Sequence, residues 1–196
     1  PDSAILNVTI MTPRYVFGDN SQLIIPNRQF FESEFYRKMQ GKRGRAQWVP
    51  TYEVKEKFGL DFDADTMIFS LVQELNPLQI SPWTPNDVRG LSTDAVLVVN
   101  FTDDMMRDMF GTGSSVEGSF YCVSSPDGTV VSHTDPGKQG KREPLPWLET
   151  ALRERRGSLL LSYGGERMVV CYAVSEVTGW VAASVTPVNS LLNKVS

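Results

Sequence analysis

SFYCVSSPDGTVVSHTD, residues 119–135, reads as two short strands closed by a tight turn. Residues 119–124 are aromatic, β-branched and small, and residues 129–132 return in kind. Between them, Pro126 fixes φ at the first central position of a turn and Gly128 accepts a positive φ. The pair is therefore a β-hairpin. Downstream, a loop carries Pro136, Gly137 and Gly140. Pro146-Trp147-Leu148 then opens a helix that reaches about Arg156, with Gly157 ending it. Three strands follow in quick succession, 158–163, 167–174 and 180–185. Their turns are Gly164-Gly165 and Glu176-Val177-Thr178-Gly179. Pro187 starts a last helix reaching Lys194. Two strands, a helix and three strands build an antiparallel sheet with helices on one face, an α+β arrangement.

Upstream, Gly111-Thr112-Gly113-Ser114-Ser115 is the natural joint between two modules. The expected division is residues 1–113 and 114–196. The first module opens with a strand over 5–10 and a polar turn at Gly18-Asp19-Asn20. Asn27 caps a helix over 28–39, where Phe30, Phe31, Phe35 and Met39 recur at helical spacing and Gly41 stops the run. A basic loop leads to Trp48. Residues 66–75 and 94–101 read as strands, and Thr102 or Asp103 caps a short helix through Phe110.

Composition narrows the function. The 196 residues are 41% hydrophobic and 21% charged, as in an ordinary globular protein. Nineteen basic against 23 acidic residues argue against a general nucleic-acid binder. No apolar run is long enough for a membrane helix, and no signal-peptide pattern opens the chain. It begins at Pro1 rather than at a methionine and reads as part of a longer protein. No solenoid-length repeat or low-complexity segment appears.

Catalytic material is sparse. His133 is the single histidine, so it is the one candidate base for a Ser-His-Asp or Cys-His arrangement. At the end of a hairpin strand it reads as an exposed loop residue. Asp61-Phe62-Asp63-Ala64-Asp65 alternates acids but lacks the glycine and distal glutamate of a calcium loop. Asp103-Asp104 suit a helix N-terminus. Residues 111–115 lack the Gly-Lys of a phosphate loop. Asn7-Val8-Thr9 and Asn100-Phe101-Thr102 match the glycosylation sequon but sit in apolar strand-like runs. The expectation is a protein that is not an enzyme and needs no cofactor or metal.

Binding has better material. Tyr36, Tyr52 and Trp48 share one segment with Arg37, Lys38, Lys42, Arg43 and Arg45, and Trp83 follows. Aromatic faces with a few charged groups are what small-ligand pockets use, and an arginine suits a carboxylate. The candidate ligand-binding residues are Tyr36, Arg45, Trp48, Tyr52 and Trp83. For Trp48 the alternative is a core filler, and for the lysines a helix C-terminus.

Residues 119–135, together with GGERMVVCYAVSEVTGWVAASVTP (164–187), resemble the membrane-proximal part of double Cache sensor domains, which have a PAS-like fold. The resemblance rests on the Asp127-Gly128 turn, then Tyr172, Gly179-Trp180 and Pro187 in order. AVLVVNFTDDMMRDMF (95–110) resembles the strand and helix linking the two modules. The likeness is closest to sensors of Firmicutes histidine kinases or membrane-anchored helix-turn-helix regulators, and covers residues 92–196 best. The family carries a long helix ahead of the first module, and residues 1–10, which read as strand, are not expected to supply it.

The resemblance implies two PAS-like modules, each with strand order 2-1-5-4-3. Cys122 and Cys171 then lie two strand spacings apart, roughly 10 Å, too far for a disulfide. Two free, buried thiols are expected. It also implies an extracellular domain of a membrane-anchored receptor. Such a domain binds a sugar, amino acid or carboxylate and passes the signal to a cytoplasmic output, with a homodimer in the whole receptor. The arginine and tryptophan of amino-acid sensors are echoed by Arg45 and Trp48 at a different spacing, and no matching aspartate stands out. The competing reading is a protein-interaction or structural domain with the same sheet and no small ligand.

Overall fold

The computed structural model describes residues 4–19, 25–42, 44–60, 66–75, 95–111 and 116–193. The chain divides into two compact units, Pro1–Thr102 and Asp103–Ser196.

The first unit runs β1 (Ile5–Met11), β2 (Val16–Asp19), α1 (Asn27–Glu32), α2 (Glu34–Arg37), β3 (Gln47–Glu53), α3 (Val54–Phe58), β4 (Met67–Leu75) and β5 (Ala95–Phe101). Its five strands are ordered β2-β1-β5-β4-β3, all neighbours antiparallel. Side chains alternate across a strand, so Ile68 and Val72 of β4 and Val96 and Val98 of β5 face one core. Phe30, Phe35, Tyr36 and Phe58 of the three helices cover that inner face. The helix expected over 28–39 is two short helices. Ser33 breaks it with φ −73° and ψ 152°, and its hydroxyl accepts from the Tyr36 N–H. The basic loop before Trp48 gives way to β3. This strand lies at the sheet edge, where Pro50 costs no ladder bond, and its register slips between Val49 and Tyr52.

The second unit runs α4 (Asp104–Gly111), β6 (Phe120–Ser124), β7 (Val130–His133), a 3-10 turn (Pro136–Lys138), α5 (Leu148–Glu154), β8 (Arg156–Tyr163), β9 (Glu166–Val174), β10 (Val181–Pro187) and α6 (Val188–Leu192). Its order is β7-β6-β10-β9-β8. In the first hairpin the Gly128 N–H donates to the Ser125 carbonyl at 3.0 Å, and Gly128 has φ 88°. A side chain there would also press on the Glu143 carbonyl. Trp147 and Ala151, fully buried, seat α5 over the inner face against Val170 and Val181.

Both units are thus PAS-like, with one strand order used twice in an α+β fold. β10 lies between Cys122 on β6 and Cys171 on β9, and both thiols are free. Cys122 is buried, but Cys171 is exposed, which corrects the expectation for that residue. Val170 and Tyr172 point inward, so the residue between them points out. His133 also departs from its expected place in an exposed loop. β7 extends to it and pairs it with Cys122, which turns the ring inward to 6% exposure. No helix among the described residues is long and apolar enough to cross a membrane.

Candidate functional site

The inner face of the first sheet carries a run of buried polar groups. β1, β5 and β4 place Asn7, Asn100 and Ser70 in register with one another. Ser70 Oγ donates to Asn100 Oδ1 at 2.7 Å, and Asn100 Nδ2 donates to Asn7 Oδ1 at 2.9 Å. Tyr52 Oη lies 2.8 Å from Ser70 Oγ. The single Ser70 proton is already given to Asn100, so Tyr52 is the donor. The hydrogen bonds therefore run one way across four strands, from Tyr52 through Ser70 and Asn100 to Asn7. All four residues are at least nine-tenths buried. Burial pushes the Tyr52 phenol well above the ordinary tyrosine range, against a smaller lowering by the Ser70 bond. It stays protonated and able to donate.

The Asn7 end of this ladder meets a small cavity shared with Thr9, Met11, Val16, Ile25 and Val98. Its volume is about 10 Å³, room for one water. At the other end of β4, Glu74 occupies the same inward series as Ser70 and Val72. Its Oε2 is buried with no hydrogen-bond partner among the described residues. Its carbonyl accepts from the Gly44 N–H at 3.4 Å, which brings the neighbouring Arg45 to that end of the face.

The structure brings together some of the residues singled out in the sequence. Tyr36 on α2 and Tyr52 on β3 share the aromatic cluster over the inner face. Tyr36 packs on Phe30 and Tyr52 on Phe35, with ring centroids 5.8 and 5.6 Å apart. Arg45 is exposed in the loop before β3. Trp48 is on the opposite face of the sheet, beside Phe101 at 5.7 Å, where Phe101 stacks on Phe69. Trp83, Arg43 and the acidic stretch 61–65 lie outside the described residues.

Asn7, Asn100, Ser70 and Glu74 are not among the candidates that the sequence pattern supplies. Their signal is a polar residue at an inward position of an otherwise apolar strand, as in AVLVVNF (95–101). Both asparagines begin glycosylation sequons, yet they are 3% and 2% exposed, so the folded unit has no room for a glycan on either.

No family model and no curated protein matches the sequence. Solved structures do match. The extracellular domain of the histidine kinase rpHK1S-Z16 aligns with a TM-score of 0.66 at 12% identity, covering 96% of this chain and 73% of that one. This chain shares its fold with that extracellular domain. The periplasmic sensory domain of the Campylobacter jejuni chemoreceptor Tlp1 gives 0.63 at 9% identity, covering 99% and 75%. The ligand-binding domain of the Pseudomonas aeruginosa chemoreceptor PctB, solved with L-Gln, gives 0.62 at 8%, covering 98% and 72%. At these identities the likeness is one of fold.

Proposed function

We propose that the chain is the extracellular small-molecule sensor domain of a bacterial membrane receptor, with its ligand bound over the inner face of the first unit. The observation that carries this reading is the ladder Tyr52–Ser70–Asn100–Asn7. Four buried polar side chains on one apolar face cost desolvation that an all-apolar face would avoid, and such groups mark recognition sites in pockets.

An amino acid is the ligand class the residues suit best. Glu74 supplies a carboxylate oxygen, without a partner among the described residues, for an ammonium group. Arg45 supplies a guanidinium for a carboxylate. The ladder and the Tyr36–Tyr52 wall receive the side chain. PctB, of like fold, takes L-Gln. Sugars and simple carboxylates use fewer of these groups. Trp48, half-buried beside Phe101 on the other face, lies outside this site.

A cavity for one water admits no amino acid, so binding requires the helical cover of α1–α3 to yield. The ligand acts by favouring the opened arrangement, a population shift. The second unit then passes the change through the exit helix that follows Pro187 to a cytoplasmic kinase or transcription regulator, in a homodimeric receptor. The role is binding, not catalysis.

A thermal-shift screen with amino acids, sugars and carboxylates tests this. A ligand at about a hundredfold excess over its Kd adds about 2.7 kcal/mol, a rise of several degrees in Tm. Glu74→Gln is expected to abolish the response to amino acids while the unliganded melt stays close to wild type. If no compound raises the melting temperature, the sensor reading fails and a protein-interaction or structural domain takes its place.

A further inference from the structure

Three buried side-chain polar atoms have no hydrogen-bond partner among the described residues: Glu74 Oε2 in the first unit, and Ser124 Oγ and Trp147 Nε1 in the second. A buried polar group without a partner has lost its water and gained nothing, so each one calls for an explanation. The two in the second unit belong to one inner core. Phe120, Cys122 and Ser124 alternate along β6, opposite Val185, Ala183 and Val181 of β10. Trp147 lies over that face at the start of α5 and is fully buried. Its indole N–H can only donate. A phenylalanine would fill much of the same space without an orphaned proton.

Titratable groups gather in the same core. Phe120 packs on the rings of Trp147, Tyr163 and His133, with centroids 6.3, 5.7 and 5.1 Å away. Nδ1 of His133 accepts from the Asp135 N–H, so the neutral ring carries its proton on Nε2 and is a second donor. Burial, opposed by Lys138 and helped by Glu143, pushes the Cys122 thiol up to about 12, so it stays protonated. The same Lys138 and Glu143 act on His133. Lys138 meets Glu143 at 3.5 Å, long beside the roughly 2.8 Å of a well-made ion pair. Trp147, His133 and Lys138 are all donors. The nearby acids are engaged: Asp135 accepts from the Gly137 N–H, and Glu143 holds Lys138.

We infer that the inner core of the second unit is a second ligand site, for a short aliphatic monocarboxylate. The carboxylate accepts from the Trp147 N–H and takes Lys138 from Glu143, whose side chain turns out to water. Glu143 is thus an internal competitor for the ligand. Charge-assisted bonds of this kind are about twice as strong as neutral ones. The alkyl chain lies against Val130, Val170 and Val185 of the same core. The chain between β7 and α5 carries one 3-10 turn and no helix or strand, and it is the part that yields to admit the ligand. An amino acid is refused, since its ammonium group would meet Lys138 and find the nearby acids engaged. The site is therefore distinct in chemistry from the one proposed for the first unit, and neither reading depends on the other.

The test uses the whole chain, isotope-labelled at the indole nitrogens of its four tryptophans and titrated with butyrate, butylammonium and α-aminobutyrate in turn. Butyrate is expected to move the Trp147 indole signal saturably and leave those of Trp48 and Trp180 in place. Butylammonium should leave all three in place. α-Aminobutyrate should leave Trp147 in place too, and any rise it causes in melting temperature belongs to the first unit. Lys138→Met should weaken butyrate about tenfold or more, and Glu143→Gln, which frees Lys138, should tighten it severalfold. Trp147→Phe, followed by calorimetry, should weaken it about tenfold, and Lys138→Met, at a half-buried position, decides the matter if that variant does not fold. A Trp147 signal unmoved by butyrate, the result for an indole N–H bonded to a buried water, would overturn the proposal. So would equal movement with butylammonium, wild-type affinity in Lys138→Met, or failure of Glu143→Gln to tighten binding.

Discussion

Asn100 accepts from Ser70 and donates to Asn7, so it holds the middle of the ladder, whereas Tyr52 holds an end. Removing a middle member strands two buried partners, and removing an end strands one. Asn100→Ala is therefore expected to cost about 3 kcal/mol and Tyr52→Phe about 1 kcal/mol, read from urea unfolding. Equal costs would show that the groups do not act as a chain. His133 gives a pH dependence. Its Nδ1 accepts from the Asp135 N–H at 2.8 Å and its ring stacks on Phe120 at 5.1 Å. Burial lowers its pKa, helped by Lys138 and Arg107 and opposed by Asp135 and Glu143. The fold thus prefers the neutral ring, while the unfolded chain takes up a proton near pH 6.5. Stability from this source is complete above about pH 6.5 and falls as pH drops toward the lower folded value, by at most about 1.4 kcal/mol per pH unit. Because His133 is the only histidine, His133→Gln should flatten stability against pH in this window. An unchanged slope would assign the titration to another group.

At the scale of elements, the second unit was far more legible in the sequence than the first. Its strands lie between Gly and Pro turns with a local mechanism, and β6 to β10 fall within two residues of their expected bounds. In the first unit, tertiary context overrides local pattern. The apolar spacing of Phe30, Phe31, Phe35 and Met39 continues across Ser33, but the chain breaks there because the serine hydroxyl caps a new helix. β3 was hidden by its basic approach and by Pro50, a residue an edge strand tolerates. β2, the other edge strand, overlaps the polar turn expected at Gly18-Asp19-Asn20. The candidate site was legible only in part. Tyr36 and Tyr52 stand out as aromatics in any reading. The ladder is invisible until strand order puts β5 between β1 and β4, since Asn7 and Asn100 are far apart in the chain and meet only through register. Trp48 and Tyr52 share a strand four residues apart, yet the slip between Val49 and Tyr52 puts them on opposite faces.

For the whole molecule, the repeated strand order raises the question of where one unit ends. The glycine-serine stretch 111–115 suggested a joint at residue 113, but the compact units divide at Thr102 and Asp103. The difference is α4. Its sequence continues from β5, but its anchors Asp103–Ser132 and Phe110–Tyr121 tie it to β6 and β7. We place the functional boundary with those anchors, ahead of the helix. Residues 103–196 contain every strand of the second sheet and the helix that covers its outer face. Expressed alone, they should unfold in urea as one cooperative transition. Residues 114–196 keep the sheet but lose the stack on Tyr121, worth about 1 kcal/mol, and leave the Tyr121–Ser132 pair without its carboxylate, worth about 1–3 kcal/mol more. The shorter piece should therefore be less stable by about 2–4 kcal/mol with a similar dependence on urea concentration. Equal stability would detach α4 from the second unit and return the boundary to the glycine-serine stretch.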